Sequence, residues 1–358
     1  MAQELTYREL FNEIMHYGEF DRMPVLHWSG WEETEREWRE QGLPQGKSIH
    51  EYLNTKPMYS GIPINVDLYP LFEEEVFEET NEYRIFRQND GVVAQHWKGR
   101  SCIPHYIDFT MKDRSGWDEY KKRLQPCPER IPDDLDDKLE SFDAAGLPVS
   151  LYTGSMIGWT RNWMGVQNMA YACYDDRDLI AEISDTVANL ACWAIDQVAD
   201  KVQIDFGLGW EDICFKTGPL ISPHVFKECC VPAYRKISDR LAEAGCDLCM
   251  VDCDGEVSAL VPLWLEGGVN IIFPIEIGTW QADPMAYRKK YGRECRIFGG
   301  IDKRALAQGR EAIDAEIQRR IPLMKDGGLI PLPDHLIIPG TPLKDYKYYL
   351  DRLRELRF

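Results

Sequence analysis

Short apolar runs alternate with helix-like stretches over the last two thirds of the chain. Three of the helical stretches open at Ser222-Pro223, Asp283-Pro284 and Thr341-Pro342, where a capping residue precedes a proline. Each apolar run between them has the length of a buried strand. The pattern predicts six β/α units in a row, with strands at 148–153, 202–206, 246–251, 269–275, 296–298 and 329–332.

The first third of the chain supplies two more strand candidates, Met23–Trp28 and Ile62–Leu68, with a helix expected between them at 32–41. Eight strands, each followed by a helix, make up a closed parallel barrel. We therefore predict an α/β fold, a single (β/α)8 TIM-type barrel domain that covers residues 1–358. An open, doubly wound sheet is the alternative, but no Gly-x-Gly-x-x-Gly follows the first strand to support a dinucleotide-binding fold.

One segment interrupts this alternation. Residues 82–87 and 92–97 are short β-like runs on either side of Asn89-Asp90-Gly91, which is a good hairpin turn. We predict a β-hairpin inserted between the second and third strands of the barrel.

Charge and cysteine content narrow the class of protein. The chain has 60 acidic and 41 basic residues and a net charge of -19, which argues against nucleic acid as a partner. No apolar stretch is long enough to cross a bilayer, and residues 1–20 are charged throughout, so we expect a cytoplasmic protein without a membrane span. The 11 cysteines, an odd number, are expected to be reduced thiols.

Asp252 and Asp254 end an apolar strand and are two residues apart, which places both carboxylates on one face. Such a pair is costly unless it holds a metal, shares a proton or meets a substrate. In a parallel barrel the carboxyl ends of the strands form the active-site face. Seven of the eight predicted ends carry an acidic residue or a histidine, among them Asp67, Glu276 and His335, and the remaining end offers Tyr152.

Two of these residues have an equally plain structural interpretation. Asp67 precedes Tyr69-Pro70 and is as well suited to cap a turn as to act in a site. A lone histidine such as His335 is more often a structural residue, although the carboxylates of the fifth strand favour a functional role for it.

Aromatic residues form a second group at the same strand ends. His27 and Trp28 end the first strand, and Trp210 and Trp280 fall just beyond later ones. A pocket with aromatic walls and a few polar groups is the usual form of a small-molecule site, so we predict that these four residues bind the substrate. The alternative is that the tryptophans only seal the barrel top.

Several segments together resemble the uroporphyrinogen decarboxylase superfamily. They are Gly154-Ser-Met-Ile-Gly-Trp-Thr, the run from Phe226-Lys-Glu to Pro232-Ala-Tyr-Arg-Lys, the Asp252-x-Asp-Gly turn, Gly299-Gly-Ile-Asp302 and the closing Pro333-Asp-His with Thr341-Pro-Leu-Lys-Asp-Tyr346. The resemblance covers nearly the whole chain and implies a (β/α) barrel. The superfamily includes true decarboxylases and corrinoid-dependent methyltransferases, so the branch depends on particular residues.

The stretch 27–35 speaks against a true decarboxylase. In those enzymes an arginine-rich loop at this place holds the carboxylates of a tetrapyrrole, whereas this chain has three glutamates and no arginine there. Asp67 and His335 match an aspartate and a late histidine of the decarboxylases, so a uroporphyrinogen decarboxylase-like activity that needs no metal stays the alternative. A third hypothesis is a binding protein on a barrel scaffold that has lost catalysis.

Enzymes of the methyltransferase branch bind zinc, and the resemblance implies that their zinc-ligand positions correspond to Asp252, Asp254 and His335 in this chain. Oxygen and nitrogen ligands in place of thiolates still suit a divalent metal, for which zinc is the first expectation, but they favour an ether over a thiol as substrate. Glu276 is then the proton donor or a fourth ligand, with Asp67 and Tyr152 as further catalytic candidates.

The resemblance thus implies a methyltransferase that moves a methyl group from a small methoxylated, possibly aromatic, donor to a corrinoid. No Asp-x-His-x-x-Gly for anchoring a corrinoid occurs in the chain, so the corrinoid is expected as a co-substrate on a partner protein. A homodimer is compatible with these expectations.

Overall fold

The computed structural model describes residues 5–99 and 103–358. Thirteen strands are formed within these ranges. In chain order they are β1 (Ser60–Gly61), β2 (Glu75–Glu79), β3 (Tyr83–Arg87), β4 (Val92–Trp97), β5 (His105–Phe109), β6 (Val149–Gly154), β7 (Phe206–Trp210), β8 (Cys214–Phe215), β9 (Gly218–Pro219), β10 (Cys249–Asp252), β11 (Ile271–Phe273), β12 (Arg296–Ile301) and β13 (Leu329–Pro333).

Fifteen α-helices accompany the strands in the described part of the chain, with two short 3-10 helices at Pro128–Arg130 and Gly292–Glu294. They are α1 (Tyr7–Met15), α2 (Glu32–Glu40), α3 (Ile49–Leu53), α4 (Arg114–Arg123), α5 (Leu135–Ala145), α6 (Gly158–Asp175), α7 (Arg177–Asp196), α8 (Pro223–Cys229), α9 (Val231–Glu243), α10 (Val261–Glu266), α11 (Ile277–Trp280), α12 (Pro284–Tyr291), α13 (Lys303–Leu306), α14 (Arg310–Asp326) and α15 (Leu343–Glu355). Within the described ranges, no helix is both long and apolar enough to cross a membrane.

Seven strands form one curled parallel sheet in the order β1-β6-β7-β10-β11-β12-β13. Parallel neighbours require crossovers, and the helices that make them cover the sheet, so its strands are almost entirely buried. The predicted α/β architecture is therefore present. The carboxyl ends of the strands lie along one edge of this sheet, where the predicted site residues are found.

The predicted first two strands are wrong, and closure into eight strands is not shown. The segment Met23–Trp28 forms only an isolated parallel bridge from Leu26 to Lys56, and Gly30 bridges to Ile337 beyond β13. Residues 62–68 follow β1 instead of forming a strand, although their apolar side chains alternate and are buried. Their backbone bonds elsewhere: the Asn65 N–H donates to the Arg130 carbonyl at 2.9 Å.

The predicted strand at 202–206 is displaced toward the carboxyl terminus, since β7 begins only at Phe206. Gly207 within β7 allows a helix to pack closely on the sheet. A Cβ on Gly207 would lie 2.5 Å from the Leu241 side chain of α9. Glycine is therefore needed within this strand to let a helix approach the sheet.

An antiparallel sheet in the order β2-β3-β4-β5 stands between β1 and β6 in the chain. Its inner pair, β3 and β4, covers the predicted hairpin, with Phe86 opposite Ala94. The outer strands β2 and β5 were not predicted, because their side chains are mostly exposed and lack a buried alternating face. The insertion is thus larger than a hairpin.

Candidate functional site

The site begins at the end of β10, where Asp252 pairs in register with Trp210 of β7 on one side and Phe273 of β11 on the other. Asp254 follows two residues later in the loop. The intervening Cys253 is fully buried, and its thiol donates to the Asp254 carbonyl at 3.5 Å. The alternation of side chains therefore presents the two carboxylates, and not the thiol, at the edge of the sheet.

His335, which follows β13, reaches this loop. Its Nε2 lies 3.0 Å from Asp254 Oδ2, and its ring stacks on Trp31 with centroids 6.0 Å apart. Burial lowers the pKa of His335, but the hydrogen bond and charge of Asp254 outweigh it, so the pKa lies above its ordinary value. Asp254 Oδ1 is buried and has no hydrogen-bond partner in the described part of the chain. An orphaned buried oxygen of this kind calls for a ligand.

Glu276 is buried on the other side of this pair, at the start of α11. Its Oε2 accepts from the Gly255 N–H at 3.0 Å and from Trp280 Nε1 at 2.7 Å. Its Oε1 faces Lys303 Nζ at 3.1 Å. With three donors directed at its two oxygens, Glu276 is held as an acceptor, which fits a ligand better than a proton donor. Lys303, the first residue of α13, is therefore a member of the site that was not predicted from the sequence.

Asp212, just past β7, is a site residue that the sequence analysis did not select. The Asp254 N–H donates to Asp212 Oδ1 at 3.1 Å. Burial and the neighbouring carboxylates Asp212 and Asp254 raise the pKa of Asp252 well above its usual value. Because Trp210 pairs with Asp252, Asp212 lies beside Asp254 two residues later, a register that the predicted strand end at 206 did not give.

Two sets of ligand atoms overlap at Asp254. In the described residues, Asp254, Glu276 and His335 offer oxygen and nitrogen atoms within 4.8 Å of one another, and so do the oxygens of Asp212, Asp252 and Asp254. Two of the three predicted ligands, Asp254 and His335, thus meet in one set, whereas Asp252 belongs to the other.

A cavity of about 240 Å³, here called the mouth cavity, opens beside Asp252. Trp28 lines it and packs edge-on against Phe273 with centroids 4.8 Å apart. His27 also borders it, but its Nδ1 lies 2.9 Å from the Tyr346 hydroxyl. Burial, with a smaller contribution from the charge of His50, lowers the pKa of His27 to about 3, so this ring is neutral and belongs to the packing.

The two other predicted substrate-binding tryptophans lie apart from the mouth cavity. The Trp210 ring faces the Arg161 guanidinium at 5.5 Å. Trp280 donates to Glu276 and lines a separate cavity of about 260 Å³. The structure therefore brings Trp28 to the carboxylates directly and Trp280 through Glu276.

Asp67 lies in a larger cavity of about 700 Å³, here called the side cavity. Its wall comes from the segment after β1, the turn between β3 and β4 and the start of α6: Asn65, Asp67, Leu68, Tyr69, Pro70, Leu71, Asn89, Asp90, Trp159, Asn162 and Trp163. Tyr152 contacts the walls of both cavities, because its ring packs against Trp159 of the side cavity and its strand partner Leu208 lines the mouth cavity. Burial raises the pKa of its phenol, and the charges of Asp67, Glu211 and Asp252 add to that effect.

The comparisons with known proteins can be set against this geometry. The model of the family described as uroporphyrinogen decarboxylase (URO-D) matches residues 131–356. The chain belongs to the uroporphyrinogen decarboxylase family. Asp212, Asp252, Asp254, Glu276 and His335 all lie within the matched range, whereas Asp67 and the residues at 27 and 28 lie outside it. The family relationship inferred from the motifs is thereby confirmed.

A methyltransferase from Methanosarcina mazei is similar in structure to this uroporphyrinogen decarboxylase family member. The likeness has a TM-score of 0.60 at 14% identity and covers 98% of this chain and 99% of that one. At that identity it shows a shared fold. No curated protein matches the chain.

Proposed function

We propose that this protein is a corrinoid-dependent methyltransferase that moves a methyl group from a small methoxylated donor to a corrinoid held by a partner protein. The observation that carries the proposal is the set formed by Asp254, Glu276 and His335, in which one buried carboxylate oxygen has no partner among the described residues. The fold shared with a methyltransferase adds support.

The residues present fit a divalent metal. Asp254, Glu276 and His335 would hold it through two carboxylates and one imidazole, a donor set that zinc accepts. When bound, such an ion supplies Lewis-acid assistance to an ether oxygen. The orphaned Asp254 Oδ1 would gain a partner, and Trp31 stacked on His335 holds the ring in place.

The proposed reaction is a displacement at the methyl carbon. A corrinoid held by the partner protein would supply the cobalt(I) nucleophile and would accept the methyl group as a cobalt–carbon bond. The carbon–oxygen bond would break with its electron pair on oxygen, and the alkoxide or phenoxide released would take a proton from water. The chain's own residues orient the donor and exclude water: Trp28 and Phe273 form an apolar wall beside Asp252.

The walls of both cavities disfavour the decarboxylase alternative. A tetrapyrrole with many carboxylates needs cationic partners, yet among the described residues neither the mouth cavity nor the side cavity has arginine or lysine in its wall. Asp252, Asp67 and Asp90 would instead repel such a substrate.

The test is methyl transfer to cob(I)alamin from a panel of aryl methyl ethers, followed by the spectral change on formation of methylcobalamin. We expect turnover with the metal-replete protein and a loss of about 100-fold or more in Asp254→Asn and His335→Ala. Asp118→Asn, the same change at an exposed position on α4 away from the set, is the matched control. No methylcobalamin from any donor would overturn the proposal.

A further inference from the structure

The side cavity has the size of a site for a small organic molecule. At about 700 Å³ it is well within the range of ligand pockets, whereas the mouth cavity, at about 240 Å³, is small for a methoxylated arene. Three separate segments build its wall, so its shape depends on the folded chain and on the turn between β3 and β4.

The charges in its wall are of one sign. Asp67 and Asp90 both line the cavity, and within 5–99 and 103–358 no lysine, arginine or histidine belongs to the lining. Desolvation raises the pKa of Asp67, opposed by the charge of Arg130, and raises that of Asp90, opposed by backbone N–H donors. A cation in the cavity would compensate both carboxylates, and an anion would meet repulsion from both.

Aromatic rings provide the apolar part of the wall. Trp159 and Trp163 are neighbours with centroids 5.5 Å apart, and Tyr69, in the segment after β1, also lines the cavity. The negative faces of such rings attract ammonium groups, and their area suits an aromatic body. Carboxylates together with indoles therefore select a ligand that is both apolar and positively charged.

The side cavity is linked to the reacting centre. The Tyr152 ring packs edge-on against Trp159 of the side cavity, with centroids 6.0 Å apart, and Tyr152 pairs in the sheet with Leu208, which lines the mouth cavity. A donor anchored at Asp67 would extend past Tyr152 toward Asp252 and the candidate metal ligands.

We propose, resting on the function given above, that the methyl donor is a small methoxylated organic cation and that the side cavity holds its charged, aromatic part. Asp67 and Asp90 neutralise the cation, and Trp159 and Trp163 contact its apolar body. Donors that carry a carboxylate are excluded by the same charges.

The experiment measures binding by isothermal titration calorimetry on chelator-treated protein, so that no metal competes with the probe. Three probes differ in one substituent: 4-methoxybenzylammonium, 4-methoxybenzyl alcohol and 4-methoxybenzoate. We expect the ammonium to bind about tenfold more tightly than the alcohol, and the benzoate to bind most weakly. Equal affinity for ammonium and alcohol, or tightest binding of benzoate, would overturn the proposal.

Variants place the bound cation. Asp67→Asn should reduce the preference for ammonium over alcohol to less than about threefold. Asp118→Asn removes the same charge from an exposed position on α4 and should leave the preference unchanged. If Asp67→Asn fails to fold, Asp90→Asn serves in its place, since an amide oxygen can still accept from the Val92 N–H. A preference that survives both cavity variants would contradict the assignment.

The same probes separate this proposal from the function on which it rests. Tight binding of the ammonium probe without methylation of cob(I)alamin would leave the cavity assignment standing and contradict the methyltransferase. Demethylation of neutral ethers without any preference for the cation would have the opposite meaning.

Discussion

The carboxylates at the active edge of the sheet fall into two groups that differ in the donors facing them. Glu211 is fully buried, yet it accepts from the backbone N–H groups of Met156, Ile157 and Gly158 at 2.7 to 2.9 Å and from the Tyr234 hydroxyl. This carboxylate ties the start of α6 to the end of β7. Its surroundings satisfy it completely, and no ligand is needed.

Asp252 and Asp254 lie at the same edge in the opposite condition. The Asp252 side chain forms no hydrogen bond within the described ranges, and Asp254 has one oxygen bonded to His335 and one without a partner. Spacing in the sequence does not separate these two groups, since both follow strands. The supply of donors does, and it distinguishes a carboxylate that holds the fold together from one that awaits a ligand.

The largest effect should come from removing the satisfied carboxylate. Glu211→Ala leaves three buried N–H groups and the Tyr234 hydroxyl without their acceptor, so we expect a loss of about 3 kcal/mol or more in the free energy of unfolding. Urea unfolding followed by circular dichroism measures it. A loss below about 1 kcal/mol would show that Glu211 is not the structural member of the comparison.

Asp254→Asn should weaken ligand binding more than it changes stability. Its free-energy change should be smaller than that of Glu211→Ala. We expect zinc affinity to fall about tenfold or more, equivalent to ~1.4 kcal/mol, because the amide is a poor substitute for an anionic ligand. The stability of the metal-free protein should stay within about 1 kcal/mol of the parent, since an orphaned oxygen contributes little to the fold. Calorimetric titration with Zn²⁺ and urea unfolding give the two values, with the exposed Asp118→Asn as control. Unchanged zinc affinity would remove Asp254 from the ligand set.

The same contrast explains which site residues could be predicted from the sequence. The spacing of Asp252 and Asp254 and the parallel order of the strands were enough to bring His335 to them. Asp212 was not predicted because the expected strand ended at 206 and left this residue six positions beyond it, whereas β7 extends to Trp210 and carries Asp212 to the site. Donor supply has no sequence signature, because the N–H groups that satisfy Glu211 lie more than 50 residues earlier in the chain.

The side cavity was beyond prediction for a related reason. Asp67 and Trp159 come from segments that meet only in the folded protein, and the turn at Asp90 belongs to a sheet of which only the inner pair was predicted. The apolar alternation of 62–68 correctly indicated an extended, half-buried chain. It could not reveal that the Asn65 N–H bonds to Arg130, in the 3-10 helix Pro128–Arg130, instead of to a strand.

His27 and His335 extend the comparison, because burial lowers the pKa of His27 whereas Asp254 raises that of His335. The effect at His27 can be tested by changing the pH. The pKa of His27 is about 3 in the folded protein, whereas the ordinary value of 6.5 applies in the unfolded chain. As the pH falls below 6.5, the unfolded state takes up a proton that the folded state does not, and stability is lost. Between pH 6.5 and 5.5 this amounts to about 1 kcal/mol. Urea unfolding at both pH values should show that the extra pH dependence disappears in His27→Gln. An identical slope in parent and variant would mean that His27 is not held neutral.

The smallest effect, and the finest test of the comparison, is expected for Asp252→Asn. In the protein stripped of metal, Asp252 is crowded by Asp212 and Asp254, and its raised pKa reflects burial together with that repulsion. Removing the charge should therefore stabilise the fold by about 0.5 kcal/mol, which corresponds to roughly 1 °C in Tm for a chain of this size. Thermal unfolding in the presence of a chelator measures the shift. A residue kept for stability would lower the Tm on the same substitution, so a lower Tm would place Asp252 with Glu211. A higher Tm indicates that the carboxylates of Asp212, Asp252 and Asp254 are held together for a ligand at the expense of stability.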